Sequence, residues 1–341
     1  MKGFLKRYGG VLFIALTIAV VVFIALKDGG WPDTVAALRS MDWRWEALAG
    51  LLWLLFVGSR AYTMKFYLAR QGVFVRFGAA FHASLIGLFY SGVTPAASGG
   101  QPMQMYHLRK EGVPVSVSAS GVIVKFVGFQ SMLLLLCAVF LGFHWTFVRE
   151  TVGSSFFLIV LGFAINAVVV AAVLLLLISR RAVRVIVRFA LSVGQKVRLV
   201  KDRPAMERRI GKAVGGYFDS LSTVRDRPLD LIAMFGLSGL QVISYASIIW
   251  ALYHAFGLSS ASALQLIAIQ LLLYQTVSFV PLPGASGAQE GLFFLFLHTI
   301  VPDSMQIGML FAWRFFTFYL TMLAGGLTVV WDGVRGLRRR G

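Results

Sequence analysis

Six stretches of the chain, near residues 9–26, 46–68, 119–142, 155–178, 229–256 and 307–331, are apolar with few interruptions. Each is long enough for an α-helix to cross a bilayer, which takes about 20 residues. Two further apolar regions, 78–106 and 263–299, are broken at their middles by nearly the same string, Pro95-Ala-Ala-Ser-Gly-Gly-Gln101 and Pro283-Gly-Ala-Ser-Gly-Ala-Gln289. The shared pattern P-x-A-S-G-x-Q agrees at five of seven positions without a gap, at an offset of 188 residues. The pattern predicts an all-α fold: six spans and two interrupted helical regions.

Composition assigns this pattern to a class. Hydrophobic residues make up 58% of the 341 residues and charged residues 13%, against about 25% charged in an ordinary soluble domain. Such a chain is a polytopic membrane protein. Lys and Arg number 32 against 14 Asp and Glu, a net charge of +18, and integral proteins keep such an excess in cytoplasmic loops. The charge is therefore read as topology, and nucleic acid is not expected as a partner. Cys137, the single cysteine, lies within an apolar run and supports neither an intramolecular disulfide nor a cysteine metal site. The first apolar stretch has no small-residue cleavage site before the mixed charges of 27–33, so it reads as a retained helix.

Charge also orients the chain. The residues before the first span are basic, and the segment 27–46 after it carries a net charge of −1, which puts the N-terminus in the cytoplasm. Residues 179–228 hold 13 Lys and Arg against four acids, so this loop is expected in the cytoplasm, as are Arg335, Arg338, Arg339 and Arg340. Both demands are met only if 78–106 and 263–299 each enter and leave on one side, as re-entrant hairpins. The first would enter from the cytoplasm and the second from outside. That makes an inverted-topology repeat of helix, hairpin and helix, about 46–142 and 229–331, with the helices near 9–26 and 155–178 added at the periphery. Within the basic segment, 180–188 and 193–203 are expected as surface helices, the second stopped by Pro204.

Irregular backbone at membrane depth is tolerated only where it is buried in protein or lines a polar cavity, so a cavity is expected between the two loops. Pro95, Gly100, Pro281, Pro283 and Gly284 are the expected hinge residues, and helix N-termini after the loops offer amides to an anion. The candidate binding residues there are Ser98, Gly99, Gln101, Ser286, Gly287 and Gln289, with the two glutamines either bonding a headgroup or capping the hairpins. Charged residues inside spans normally face an interior. Arg60, Lys125, Glu290 and Arg314 complete the candidate set, while Lys65 sits near a span end and is expected to snorkel. Glu290 is the one acid well inside an apolar stretch, and a pair with Arg314 accounts for both, as a structural bridge or as a working group. His82, His107 and His298 flank the loops without a metal-binding spacing, and no phosphate-binding G-x-x-x-x-G-K motif is present. No metal or cofactor is expected.

The run from Tyr90 to Gln104, with the later run Val280 to Glu290, resembles the two signature loops of the lysylphosphatidylglycerol synthase transmembrane, or flippase-like, family. The second loop, P-x-P-G-x-x-G-x-x-E, is the most specific part, and Arg314 sits where that family usually has an arginine in its last helix. The resemblance spans nearly the whole chain. It implies a multi-pass protein of the bacterial cytoplasmic membrane that moves a lipid between leaflets. In bifunctional members the lipid is lysyl-phosphatidylglycerol, and its export confers resistance to cationic antimicrobial peptides. Those members also carry a soluble aminoacyl-transferase domain, whereas this chain ends ten residues after Trp331, so a stand-alone membrane region without enzymatic activity is expected. The expected partners are membrane lipids, with a second copy of the chain and a separate lipid-modifying enzyme as further candidates. Competing readings are a part in lysylphosphatidylglycerol synthesis, a secondary transporter of a small anion, and a membrane scaffold.

Overall fold

The computed structural model describes residues 31–153, 156–196, 203–278 and 280–338; the expected first span at 9–26 lies outside them. The described residues are helical throughout, with no strand. The first helices in chain order are α1 (Trp31–Arg39), α2 (Trp43–Arg70), α3 (Phe77–Val93), α4 (Gly100–Lys110), α5 (Val115–Phe143), α6 (Trp145–Val152), α7 (Phe156–Ile178) and α8 (Arg180–Lys196). They are followed by α9 (Arg203–Arg225), α10 (Pro228–Ala246), α11 (Ile248–Ala255), α12 (Ala263–Val277), α13 (Ala288–Leu297), α14 (Asp303–Arg314) and α15 (Leu320–Arg338). Five described stretches are long and apolar enough to cross a membrane: Trp43–Arg70, Val115–Phe143, Phe156–Ile178, Pro228–Ala255 and Asp303–Val334. These correspond to the last five of the six expected spans. The fourth joins α10 to α11 at Ser247, and the fifth joins α14 to α15 through a π-helical segment, Phe315–Tyr319.

Local chemistry sets the helix ends. The Asp42 carboxylate accepts the Arg44 N–H at 2.9 Å to cap α2, with Glu46 in its first turn and Arg70 in its last, the order that the helix dipole favours. Pro228 opens α10, a position where a missing N–H costs nothing. Ser262 and Gln265 form a reciprocal capping box at the start of α12.

The order of elements from α2 to α5 recurs from α10 to α15, where the first and last helices are each divided in two. In each unit, a shorter apolar helix reaches a 3-10 turn, Pro95–Ala97 or Pro283–Ala285, and a second short helix follows. Both turns put their second and third residues in the left-handed region, Ala96 (φ 50°) and Ala97 (φ 54°) in one, Gly284 (φ 60°) and Ala285 (φ 48°) in the other. The recurrence of the string is thus a recurrence in the backbone of its second and third residues, after which Ser98 is helical where Ser286 is extended and Gly99 has a negative φ where Gly287 has a positive one. In the first unit, Ser91 stands against Gly100 and Gly87 against Gln104, the pairing of antiparallel helices, so α4 folds back along α3.

Packing between the units is reciprocal. The opening helices α2 and α10 lie together, α3 packs on α15, α12 packs on α5, and the two turns touch. The deepest core surrounds Trp313, Tyr253, Phe293 and Phe296, with the Phe293 and Trp313 rings 5.1 Å apart. Buried indole N–H groups need acceptors; Trp313 donates to Gln270 Oε1 at 2.7 Å and Trp53 to Thr321 Oγ1 at 2.8 Å.

α7 exposes most of its apolar surface yet is tied to both units. Gln130 of α5 donates to Asn166 Oδ1 at 3.1 Å, and Asn166 donates to Gln275 Oε1 of α12 at 2.6 Å. Asn166→Leu removes the middle of this buried chain and strips Gln130 Nε2 of its acceptor and Gln275 Oε1 of its donor, while Gln275 Nε2 keeps the Gly162 carbonyl at 3.3 Å. It is expected to cost about 1–3 kcal/mol, measured as a fall in thermal stability in detergent, with α7 becoming more accessible to protease.

The basic segment is helical, with one correction to the sequence reading. Pro204 does not end a helix at Arg203; it is the second residue of α9, where the ring is tolerated because first-turn N–H groups have no partner inside the helix. Residues 197–202 lie outside the described set. On α8, Arg180, Arg181, Arg184 and Arg188 accompany exposed Val185, Ile186 and Phe189, a composition suited to a helix lying in a membrane surface.

Candidate functional site

The second turn carries the charged pair expected from the sequence. Arg314, the last residue of α14, donates from Nε to Glu290 Oε1 at 2.6 Å, with Nη2 also against Oε1. Its Nη1 donates to Gln289 Oε1 at 2.7 Å. The other carboxylate oxygen, Glu290 Oε2, accepts the Gly287 N–H at 2.6 Å. Glu290 therefore closes the N-terminus of its own helix and neutralises a buried guanidinium at once. The guanidinium also lies near the Phe318 ring (5.2 Å) and the Trp313 ring (5.6 Å), within cation–π range. Pro283, Ala285 and Ser286 are buried, whereas Pro281 and Gly287 are exposed.

The first turn is built differently. Residues 95–98 are exposed, and the Ser98 hydroxyl donates to the Pro95 carbonyl at 2.9 Å, a local turn bond. The Gly99 N–H donates to Thr94 Oγ1 at 2.9 Å, and Gln101 is half-buried. The sequence reading offers the amides after both turns to an external anion. Two of these, Gly99 N–H and Gly287 N–H, are instead satisfied by Thr94 and Glu290 from the chain itself. The cavity between the turns is small, about 160 Å³, and is lined by Ala96, Ala97, Gly284, Ala285 and Gln289 together with Tyr245 and Tyr274.

Arg60 and Lys125 form a second centre. Lys125 is buried on α5 and donates to Gln104 Oε1 of α4 at 2.9 Å. Arg60 on α2 is close enough for its charge to act on Lys125 and on Tyr274. Neither cation has a carboxylate partner among the described residues. Between the two centres stands an aromatic pair, Tyr245 and Tyr274, with ring centroids 5.2 Å apart; Tyr245 feels the charge of Arg314 as Tyr274 feels that of Arg60. The structure thus groups Ser286, Gly287, Gln289, Glu290 and Arg314 at one turn, Ser98, Gly99 and Gln101 at the other, and Arg60 with Lys125 apart from the ion pair.

Sequence reasoning misses Gln104, the partner of Lys125, and Tyr245. It also misses a cavity of about 910 Å³ between α5, α7, α9 and α10, lined by Lys125, Thr63, Arg180 and Arg225 among mostly apolar side chains. A signal for Gln104 was present, a polar residue one turn after Gln101 on a hairpin that must pack against the neighbouring span.

Helices of this length and composition, packed around two 3-10 turns, define a multi-pass integral membrane α-protein. The chain belongs to the family described as the lysylphosphatidylglycerol synthase TM region, which matches residues 10–325 and takes in both turns, both charged centres and the start of α15. Membership links the chain to lipid handling in the membrane. No curated protein matches it.

Proposed function

We propose that the protein moves a phospholipid, lysyl-phosphatidylglycerol or another lipid with a polar headgroup, between the leaflets of the bacterial cytoplasmic membrane, with both termini and α8–α9 on the cytoplasmic side. The supporting observation is the reciprocal packing of two broken hairpins that meet at their turns. α3, α4, α12 and α13 have 17, 11, 15 and 10 residues, short of the roughly 20 needed to span. Read as re-entrant segments, they arrive from opposite faces and leave irregular backbone at mid-membrane. In transporters with inverted repeats, that is where the substrate group is held while one unit rocks against the other. Acyl chains would stay in the bilayer as the headgroup passes the turns. In this reading the membrane region acts as a transporter.

The volume between the turns, about 160 Å³, favours a second reading, transport of a small anion. One assay separates the two. Protein reconstituted in vesicles holding a fluorescent phospholipid is exposed to a membrane-impermeant quencher. A translocase is expected to expose nearly all of the label, where protein-free vesicles expose only the outer leaflet. Exposure equal to the protein-free control, with anion flux across the same vesicles, would sink the lipid reading.

A further inference from the structure

The cavity of about 910 Å³ has two kinds of wall. Leu174 and Ile178 of α7 face Ile232 and Phe235 of α10 across it, and these four also stand exposed on the outside of the bundle. The apolar wall therefore runs out to the surface that lipid would cover. Lys125 lines the cavity with its ammonium group buried and bonded to an uncharged amide oxygen.

The groups tied to Lys125 carry unmet donors. Arg60 Nε is buried without an acceptor, Gln104 Nε2 is buried without an acceptor, and the ammonium itself has three N–H groups with Gln104 Oε1 as the described partner. The charge of Arg60 acts on Lys125, and no Asp or Glu lines the cavity among the described residues. Arg180 and Arg225 line it as well; each has a solvent-exposed carboxylate near it, Asp219 at 3.9 Å and Asp226 at 3.4 Å, pairs of little worth in water. Buried donors without acceptors are costly, and an anion with several oxygens would satisfy them together.

We propose that this cavity binds one anionic phospholipid, its phosphate against Lys125, its acyl chains leaving between α7 and α10. The preferred headgroup carries net negative charge. Among the described residues the cavity offers no carboxylate to an ammonium group, and Glu290 is already engaged by Arg314 and Gly287. The proposal rests on the reading of the chain as a lipid-handling protein, but not on its moving lipid.

The test titrates the full chain in detergent with dioleoylphosphatidylglycerol, dioleoylphosphatidylcholine and inorganic phosphate, reading melting temperature and the lipid retained in native mass spectrometry. Phosphatidylglycerol is expected to raise the melting temperature and stay bound, and the other two to bind about tenfold more weakly or less, the size of one charge-assisted hydrogen bond. Lys125→Gln should weaken phosphatidylglycerol binding by about tenfold or more, with Lys125→Arg retaining most of it. Ser131→Trp fills the cavity without touching a charge and should abolish binding, which keeps the proposal testable if Lys125→Gln fails to fold. Equal binding of phosphatidylcholine or of inorganic phosphate overturns it, as does unchanged binding in Ser131→Trp. Leaflet exchange without phosphatidylglycerol-selective binding overturns this proposal and leaves the translocase reading standing; selective binding without exchange does the reverse.

Discussion

Glu290→Gln is expected to destabilise the protein by about 3 kcal/mol, because removing one member of a buried ion pair strands the other. The Arg314 side chain is 3% exposed and the Glu290 side chain 11%, so water cannot take over the lost contact. The substitution also weakens the acceptor at Oε2 that holds the Gly287 N–H and with it the first turn of α13. Arg314→Met should cost a similar amount by stranding the carboxylate. The double variant is the informative one, since it buries no net charge and should be more stable than the two single losses combined would make it. Thermal unfolding in detergent measures all three. If the pair only braces the turn, the double variant will exchange lipid at a rate that tracks its stability. A double variant that is well folded but inactive would make the pair part of the transport step.

The second large effect is expected at Gly100. A Cβ there would lie 1.9 Å from Ser91 Oγ and 2.6 Å from the Gly87 carbonyl oxygen, so Gly100→Val must push α3 and α4 apart. Overpacking of this kind costs about 1–3 kcal/mol or more, and the misfit falls beside the first turn. Cutting Ser91 back to Gly in the same chain should recover only part of the loss, because the backbone oxygen stays in the way. A Gly100→Val chain with wild-type melting temperature would mean that the hairpin is not closely packed.

Much of this architecture is written in the sequence. The five described spans fall within four residues of the limits set by the apolar runs, since a long run without charges has few alternatives to a continuous helix. The turns are legible because nearly the same seven-residue string recurs, and both copies hold a left-handed pair of residues. Glu290 with Arg314 is legible for a different reason: two opposite charges inside apolar segments cost least when they meet.

Which face each helix turns inward is less legible. α5 and α7 are apolar nearly all round, so periodicity gives no direction. Nothing in the string around Arg60 tells that two tyrosines stand between it and Arg314, or that Lys125 meets Gln104 and not an acid. Likewise the anion site expected at the turns depends on free amides. Whether Thr94 and Glu290 occupy those amides is a matter of side-chain geometry, which the spacing alone does not determine.

The reciprocal packing of the two units bears on how the chain is made. α3 is synthesised more than 200 residues before α15, the helix it packs against; at about 5–20 residues per second, the first hairpin leaves the ribosome roughly 10–45 s ahead of that partner. For this interval it sits in the membrane with its Leu85 and Phe89 face, later covered by Gly325, turned toward lipid. Its apolar side chains lose little by the wait. The backbone of the turn would lose more, and there the Thr94 hydroxyl takes the Gly99 N–H from within the same hairpin. The nascent hairpin thus carries a hydrogen-bond acceptor for its own turn before the second half of the protein exists.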